Sequence, residues 1–441
     1  MVYLPHWPIP STLGNKQIDY ETVFERMQEV LSKLDNPHLK LPPVIHVAGT
    51  NGKGSTTSII AKIFSQAGYK THIYTSPHLH NCNERIVLNS QIIDDNFLYE
   101  IMEEVRIAGI DKSLTFMEGF TIGAFLAFSK IPADILIMEC GMGGRIDATN
   151  IVENKIATVI TPISLDHEEY LGDNIKKIAL EKIMIFRKDI PLILSDQDHD
   201  ALEIIKIIAN DQNLPTWYFN ENFALIKDPN LKLHEYYFED QKKISFLNQS
   251  LLGDHQLINI ATAITTCLVV NKFYQNDFKI DDQSIINAIK QVKWPSRLEK
   301  IDNNLNNIFI SKQTELWIDG AHNEGGARVV ANWIQQQNDD KINYVICGFS
   351  RGKCKKKFLE KFKNIAKILA VRVNGEPYPE SPNAICEIGK QIDPNIIGFD
   401  NLIDCLRFIS DQVKSKSARI LICGSLHLAR DVKISQNNFI K

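Results

Sequence analysis

The 441-residue sequence contains no CxxC pair, and its eight cysteines (Cys82, Cys140, Cys267, Cys347, Cys354, Cys386, Cys405 and Cys423) stand singly, with no Cys/His spacing that suits a zinc site. A disulfide framework and a structural zinc site are thereby disfavoured, and the thiols read as small buried hydrophobes in a reducing cytosol. Neither sign of charge dominates, because 49 Lys+Arg face 53 Asp+Glu for a formal net charge of -4. A nucleic-acid binder with a global positive field is disfavoured, although a local basic patch is compatible with this balance. The opening MVYLPHWPIPSTLGNKQ lacks a basic stretch followed by an apolar one, and no uninterrupted apolar run reaches the roughly 18 residues of a membrane span. A cytoplasmic, membrane-free chain is expected. Internal repeats and low-complexity tracts are also missing.

What is present is an alternation of short apolar runs with helical periodicity, the pattern of a parallel sheet covered by helices, so the expected class is α/β. Val44 to Val47 reads as a strand running into Ala48-Gly49-Thr50-Asn51-Gly52-Lys53-Gly54-Ser55, after which Ile59, Ile60, Ile63, Phe64 and Ala67 mark a helix face that stops at Gly68. Further strands are expected at Thr71 to Thr75, Asp134 to Met138 and Ala157 to Thr161, each followed by polar residues. Ligands bind outside the carboxyl ends of strands in such sheets, which predicts that Lys53, Ser55, Ser76, Glu139 and His167 converge on one edge. A helix ending near Val292 and the following Trp294-Pro295 suggest a boundary. Two domains are expected, 1–294 with a phosphate-loop sheet and 295–441 as a smaller Rossmann-like α/β unit with strands at Leu316 to Asp319, Asn343 to Cys347, Ile368 to Val373 and Arg419 to Cys423. Thr216 to Leu252, with alternating aromatic and polar residues, reads as a β-ribbon insertion.

Three features carry chemistry. The loop at 49–55 offers backbone N–H groups unobstructed by Cβ atoms, a lysine for β/γ-phosphate charge and a hydroxyl for Mg²⁺, although a standard Walker A would need Gly at Val47 and Ser/Thr at Gly54. Glu139 ends an apolar strand before Cys140-Gly141-Met142-Gly143-Gly144-Arg145, so it reads either as a hard oxygen ligand for Mg²⁺ or as a salt-bridged strand end. His167 in Leu165-Asp166-His167 reads as a packed or capping residue as readily as a ligand. The run Lys353 to Lys357 with Arg351 reads as a solvated helix face.

The strings AGTNGKGS, TSPH, ECGMGGRIDATN, SLDHEEYLG, GDHQLINIATA, WPSRLE, DGAHN and GSLHL resemble, in order from about Asp19 to Leu426, the folylpolyglutamate synthase/dihydrofolate synthase family of Mur-type amide ligases. The resemblance implies that Asn51, Gly52, Lys53, Gly54 and Ser55 hold ATP phosphates, with Ser55 on one Mg²⁺ and Ser76, Glu139 and His167 on a second. It implies a carbamylated Lys182 beside the second metal. It further implies that Asn259, Arg297, Asp319 and His322 grip the nucleotide from the second domain, in an interdomain cleft, with His322 orienting the reacting groups. A pterin is implied at Thr115-Phe116-Met117-Glu118 and Ile146-Asp147-Ala148, with help from around Phe24-Glu25-Arg26.

The family pattern is broken at Val23 (commonly Gly), at Ile183-Met184 (usually a small pair after the lysine), at Glu324 (usually Pro) and at Phe349 to Lys353, which lacks the usual Lys-Asp. None of these positions supplies a phosphate or metal group, so catalysis is expected to survive. The activity implied is ATP-dependent addition of L-glutamate to 7,8-dihydropteroate and to reduced folates through an acyl phosphate, by a monomer whose partners are small molecules. Two rivals stand beside it: polyglutamylation alone, and a phosphate-loop nucleotide-binding module without ligase chemistry.

Overall fold

The computed structural model describes residues 22–228, 233–240, 242–302, 304–305, 308–309, 313–337, 339–352, 354–376, 378–413 and 416–437. The opening segment at 1–21 and Lys353 lie outside the described residues. The chain separates into two compact units, one of 1–163, 168–250 and 256–293, the other of 164–167, 251–255 and 294–441.

In the first unit the strands are β1 (Val44–Ala48), β2 (Thr71–Tyr74), β3 (Ile86–Leu88), β4 (Gln91–Ile92), β5 (Ile135–Glu139), β6 (Lys155–Ile160), β7 (Leu192–Leu194), β8 (Thr216–Tyr218), β9 (Phe223–Asp228), β10 (Leu233–Phe238) and β11 (Lys242–Leu247). The first eight form one sheet in the order β4-β3-β2-β5-β1-β6-β7-β8, parallel from β2 to β8, with β3 and β4 antiparallel at one edge. Both faces of β1, β5 and β6 are buried along their whole length, which is why these strands read as continuous apolar runs. The covering helices are α1 (Val23–Lys33), α2 (Lys53–Gln66), α3 (Asp95–Ala108), α4 (Phe116–Lys130), α5 (Glu168–Leu171), α6 (Ile175–Ile183), α7 (His199–Asp211), α8 (Asp254–Phe273) and α9 (Asp282–Gln291).

By length and composition α8 could cross a membrane, but 78% of its apolar window is buried inside the protein, so it is a core helix. The insertion between 219 and 250 is a three-stranded antiparallel sheet, β11-β10-β9. Thr216–Tyr218, expected as its start, instead forms the last parallel strand, paired with β7.

In the second unit the strands are β12 (Glu299–Ile301), β13 (Asn304–Leu305), β14 (Ile308–Phe309), β15 (Thr314–Ile318), β16 (Ile342–Cys347), β17 (Lys367–Val371), β18 (Ile397–Phe399) and β19 (Ala418–Cys423). The main sheet runs β12-β15-β19-β16-β17-β18 and is parallel except for β12. Its helices are α10 (Glu324–Gln335), α11 (Lys355–Glu360), α12 (Pro382–Gly389), α13 (Leu402–Val413) and α14 (Leu426–Asn437). Separate apolar clusters cover its two faces, with Val345, Ala370 and Leu421 in one and Tyr344, Leu369 and Ile420 in the other, as the period of two along a strand requires. The lysine run is only partly a solvated face, because Lys355 is largely buried and pairs with Glu380 at 2.7 Å.

Candidate active site

The central strands β2, β5, β1 and β6 are adjacent, so the segments leaving their carboxyl ends meet along one edge: 75–76, the 139–145 turn, the 49–55 loop and 161–163. The loop is folded tightly. Gly49 has φ +140 and a Cβ there would lie 1.9 Å from Thr161 Oγ1, while Gly52 has φ +86 and a Cβ there would lie 2.4 Å from Asn259 Oδ1. The N–H groups of Thr50 and Asn51 donate to Pro162 O at 3.1 and 3.0 Å. No side chain caps the start of α2, whose first-turn N–H groups at Lys53, Gly54 and Ser55 therefore face outward at the positive end of a 14-residue helix. Lys53 curls back so that its Nζ donates to Gly49 O and Thr50 O, both at 3.2 Å. An anion entering this loop would find a cation and a row of donors already in place.

Beside the loop, Ser76 N donates to Glu139 Oε2 at 3.3 Å, which brings these two sequence-predicted ligands together across adjoining strand ends. Ser76 Oγ is buried and has no hydrogen-bond partner among the described residues, a costly arrangement for a hydroxyl unless something else meets it. Lys182, on the last turn of α6, is buried and its Nζ donates to Gly49 O at 2.8 Å. The departure at Ile183-Met184 is accommodated outside this contact, with Ile183 in the core and Met184 exposed. His167 lies in the 164–167 segment, which clusters with the second unit. Among the described residues no three His, Cys, Asp or Glu side chains come close enough to hold an ion. A set of hydroxyls with one carboxylate suits Mg²⁺, which takes few protein ligands and completes its shell with phosphate and water, so the residues present fit that ion.

Asn259 belongs to the first unit, inside the bounds 1–294 expected for the first domain, although the resemblance groups its action with that of Arg297, Asp319 and His322. Its side chain is buried against Gly52, and its Nδ2 donates to Gln256 Oε1 at 3.0 Å. The helical period of α8 carries it there, because Gln256 and Asn259 lie one turn apart on the side facing the loop.

The predicted pterin residues divide in two. Thr115 caps α4 in a reciprocal box with Glu118, and the buried Glu118 carboxylate also takes Arg26 Nη2 at 2.8 Å and Nε at 3.3 Å, tying α1 to α4. Asp147 caps the short turn at 148–151 and accepts from Met142 N at 2.9 Å and from Thr149 N at 3.0 Å, while Ala148 is buried beside it and Ile146 half-buried.

A residue that the sequence did not single out is Arg85. It is buried, donates from Nε to His78 Nδ1 at 2.9 Å and from Nη1 to Met117 Sδ at 3.4 Å, and lies 5.4 and 5.6 Å from the ring centroids of Phe116 and Phe120. Burial pushes its pKa down, opposed by Tyr74, Cys82 and Glu139. Its position just after TSPH was visible in the sequence, but no spacing rule marked it.

In the second unit the DGAHN string forms one hydrogen-bonded group. Asp319, at the carboxyl end of β15, is buried and accepts from Leu298 N at 2.9 Å and Ala321 N at 2.7 Å. Burial raises its pKa, countered first by Arg297, whose guanidinium packs against Gly320. His322 Nδ1 lies 3.0 Å from Gly320 O and Nε2 lies 3.1 Å from Asp166 Oδ2, which also accepts from Asn323 Nδ2 at 3.0 Å. Asn323 caps α10, and Glu324 at its first position favours the helix dipole and pairs with Lys361 at 2.8 Å, which explains how the chain manages without the usual proline.

The model of the Mur ligase middle domain matches residues 47–267, and that of the dihydrofolate synthetase C-terminal domain matches 303–435. The Lacticaseibacillus casei folylpolyglutamate synthase is 30% identical over 420 residues, 92% of this chain and 93% of the relative. The chain belongs to the dihydrofolate synthase/folylpolyglutamate synthase family of Mur-type ligases. The Bacillus subtilis dihydrofolate synthase/folylpolyglutamate synthase is 29% identical over 417 residues, again 92% of this chain and 93% of the relative. Among solved structures, the Mycobacterium tuberculosis folylpolyglutamate synthase complexed with ADP and AMPPCP shares the fold with a TM-score of 0.82, at 24% identity over 93% of this chain and 94% of that one. The α/β architecture of two units is thus that of the family.

Proposed function

We propose that this chain is an ATP-dependent ligase that joins L-glutamate to 7,8-dihydropteroate and to reduced folates, using Mg²⁺. The observation that carries the proposal is the phosphate loop: an uncapped helix start with Lys53 folded over it, beside Ser76 and Glu139, in a chain of this family. The tuberculosis relative is complexed with ADP and AMPPCP, which supports an adenine nucleotide as the co-substrate.

A carboxylate and an amine do not condense in water at a useful rate, because an oxide-like oxygen is a poor leaving group. The substrate carboxylate attacks the γ-phosphorus of ATP, forming an acyl phosphate and releasing ADP; the glutamate amine then attacks the acyl carbon, loses a proton and expels phosphate. Lys53 moves from the Gly49 and Thr50 carbonyls onto phosphate oxygens, and the N–H groups of Lys53, Gly54 and Ser55 hold them in line. Bound Mg²⁺ would neutralise charge on the transferring phosphoryl group, one ion held by Ser55 and a second by Ser76, Glu139 and His167. Fixed positioning and preorganised charge supply most of the acceleration. Lys182, once carbamylated, would offer a carboxylate in place of an ammonium. Asn259 would act from the loop side, with Arg297, Asp319 and His322 serving the nucleotide and the reacting groups.

The test is phosphate release dependent on glutamate, measured with dihydropteroate and with tetrahydrofolate separately. Turnover of both is expected; glutamate-independent ATP consumption would show a nucleotide module instead. The L. casei relative, named for folylpolyglutamate synthesis alone, favours the second reading, which turnover of tetrahydrofolate but not dihydropteroate would establish. The proposal includes a monomeric cytoplasmic enzyme, which sedimentation and fractionation would test; eight unpaired thiols, six of them buried, fit a reducing compartment.

A further inference from the structure

We infer that Gln256 is a positioning residue for the Ser55 hydroxyl, setting which of its atoms is offered to a cation at the phosphate loop. The inference rests on the phosphate-loop reading above and adds to it a residue that acts through Ser55. Gln256 is 1% exposed and makes two hydrogen bonds: Oε1 accepts from Asn259 Nδ2 at 3.0 Å, and Nε2 donates to Ser55 Oγ at 3.3 Å.

The direction of each bond follows from the one before it. Asn259 has Oδ1 nearest Gly52 and its amide nitrogen turned toward Gln256. Gln256 must then present oxygen to Asn259 and nitrogen to Ser55. Ser55 Oγ consequently accepts, and this is its one hydrogen bond among the described residues. A serine in the first turn of a helix readily turns its hydroxyl to backbone groups of its own turn. Here the bond from Gln256 occupies one lone pair and holds the oxygen in place. The other lone pair and the O–H are left directed away from Gln256. A hydroxyl that ligates a cation needs that arrangement: a free lone pair for the ion and a proton sent elsewhere.

Gln256 and Asn259 thus form a two-amide brace from α8, touching the loop at Gly52 and at Ser55. The sequence separation of about 200 residues hides it, since nothing in the spacing of GDHQLIN points back to GKGS.

The test is a double-mutant cycle on the full chain, with Gln256→Leu, Ser55→Ala and both together, read by titration calorimetry of AMPPCP with Mg²⁺ and in EDTA. The readout is the factor by which Mg²⁺ tightens AMPPCP. Gln256→Leu is expected to cut that factor about tenfold, the size of one lost hydrogen bond, while changing metal-free affinity by less than about twofold. In the Ser55→Ala background Gln256→Leu should cut it no further. Equal losses in both backgrounds, an equal loss of metal-free binding, or no loss would each overturn the inference. If Ser55→Ala leaves the Mg²⁺ factor unchanged, the metal reading of the loop fails as well, which separates the two failures. Should Gln256→Leu lower the melting temperature of the free protein, Gln256→Met, with the same length and no polar atom, repeats the cycle under the same criteria.

Discussion

Replacing Gly52 by alanine imposes two distinct costs, and Gly68 offers a control for one of them. Both glycines flank α2 and have left-handed backbones, φ +86 at Gly52 and +93 at Gly68. An alanine in that region costs roughly 1 kcal/mol at either position. At Gly68 a new Cβ meets nothing within 4 Å, so this backbone term should be the whole effect. At Gly52 it would lie 2.4 Å from Asn259 Oδ1 and 3.1 Å from its Cγ. Asn259 must retreat, and it cannot do so and keep Gln256, so a buried hydrogen bond is lost at roughly 1–3 kcal/mol. Urea unfolding of the free protein should therefore show Gly68→Ala destabilised by about 1 kcal/mol and Gly52→Ala by about 2–4 kcal/mol. Binding of Mg²⁺ with AMPPCP should separate them more sharply, unchanged for Gly68→Ala and weakened by at least about tenfold for Gly52→Ala. If the two variants unfold at the same urea concentration and bind nucleotide alike, the close approach of Asn259 to the loop has no energetic weight and the reasoning is wrong.

Lys53→Ala should abolish glutamate-dependent phosphate release and leave urea stability within about 0.5 kcal/mol, because Nζ bonds only to carbonyls on a part-buried loop; retained turnover would misplace the site. Glu139→Ala should raise the Mg²⁺ concentration needed for half-maximal activity, and a wild-type Mg²⁺ curve would remove Glu139 from the metal. Lys155, buried on β6 and donating to Asn150 Oδ1 and Ile185 O, has its pKa lowered by burial from 10.5 to about 7. The unfolded chain then holds a proton that the folded chain lacks between these values, so this group's burden is full below pH 7 and stability rises toward pH 10.5, by up to about 1.4 kcal/mol per pH unit. Lys155→Met should flatten that rise in urea titrations between pH 7 and 9, and an unaltered slope would show that Lys155 does not set it. For Lys182, intact mass under native conditions should include one CO₂ that Lys182→Ala lacks; full activity of that variant would take the group out of the mechanism.

Chain-local physics determined much of this protein. Strands buried on both faces show as continuous apolar runs, and a glycine-rich turn between such a run and a helix announces an anion site, because both signals depend on neighbours within a few residues. The strings around Ser76, Glu139 and Asp319 were legible for the same reason, each lying at or just beyond the carboxyl end of a strand. The Thr216–Tyr218 strand was misjudged because its aromatic, alternating pattern is equally that of a ribbon; pairing with β7 decided the matter. Lys355 was misjudged because a partner 25 residues away, Glu380, is invisible to a charge count.

Direction and partnership at the site came from the three-dimensional packing. Lys182 reaches Gly49 across 133 positions, and Gln256 reaches Ser55 across 201. Arg85 lies beside two aromatic rings on α4, Phe116 and Phe120. A side chain's residue type is a local property, whereas the atom that faces it depends on which strand ends the sheet order brings together. For that reason the chemistry of this ligase was readable along the chain, while the bracing of its phosphate loop was settled only when α8 packed against it.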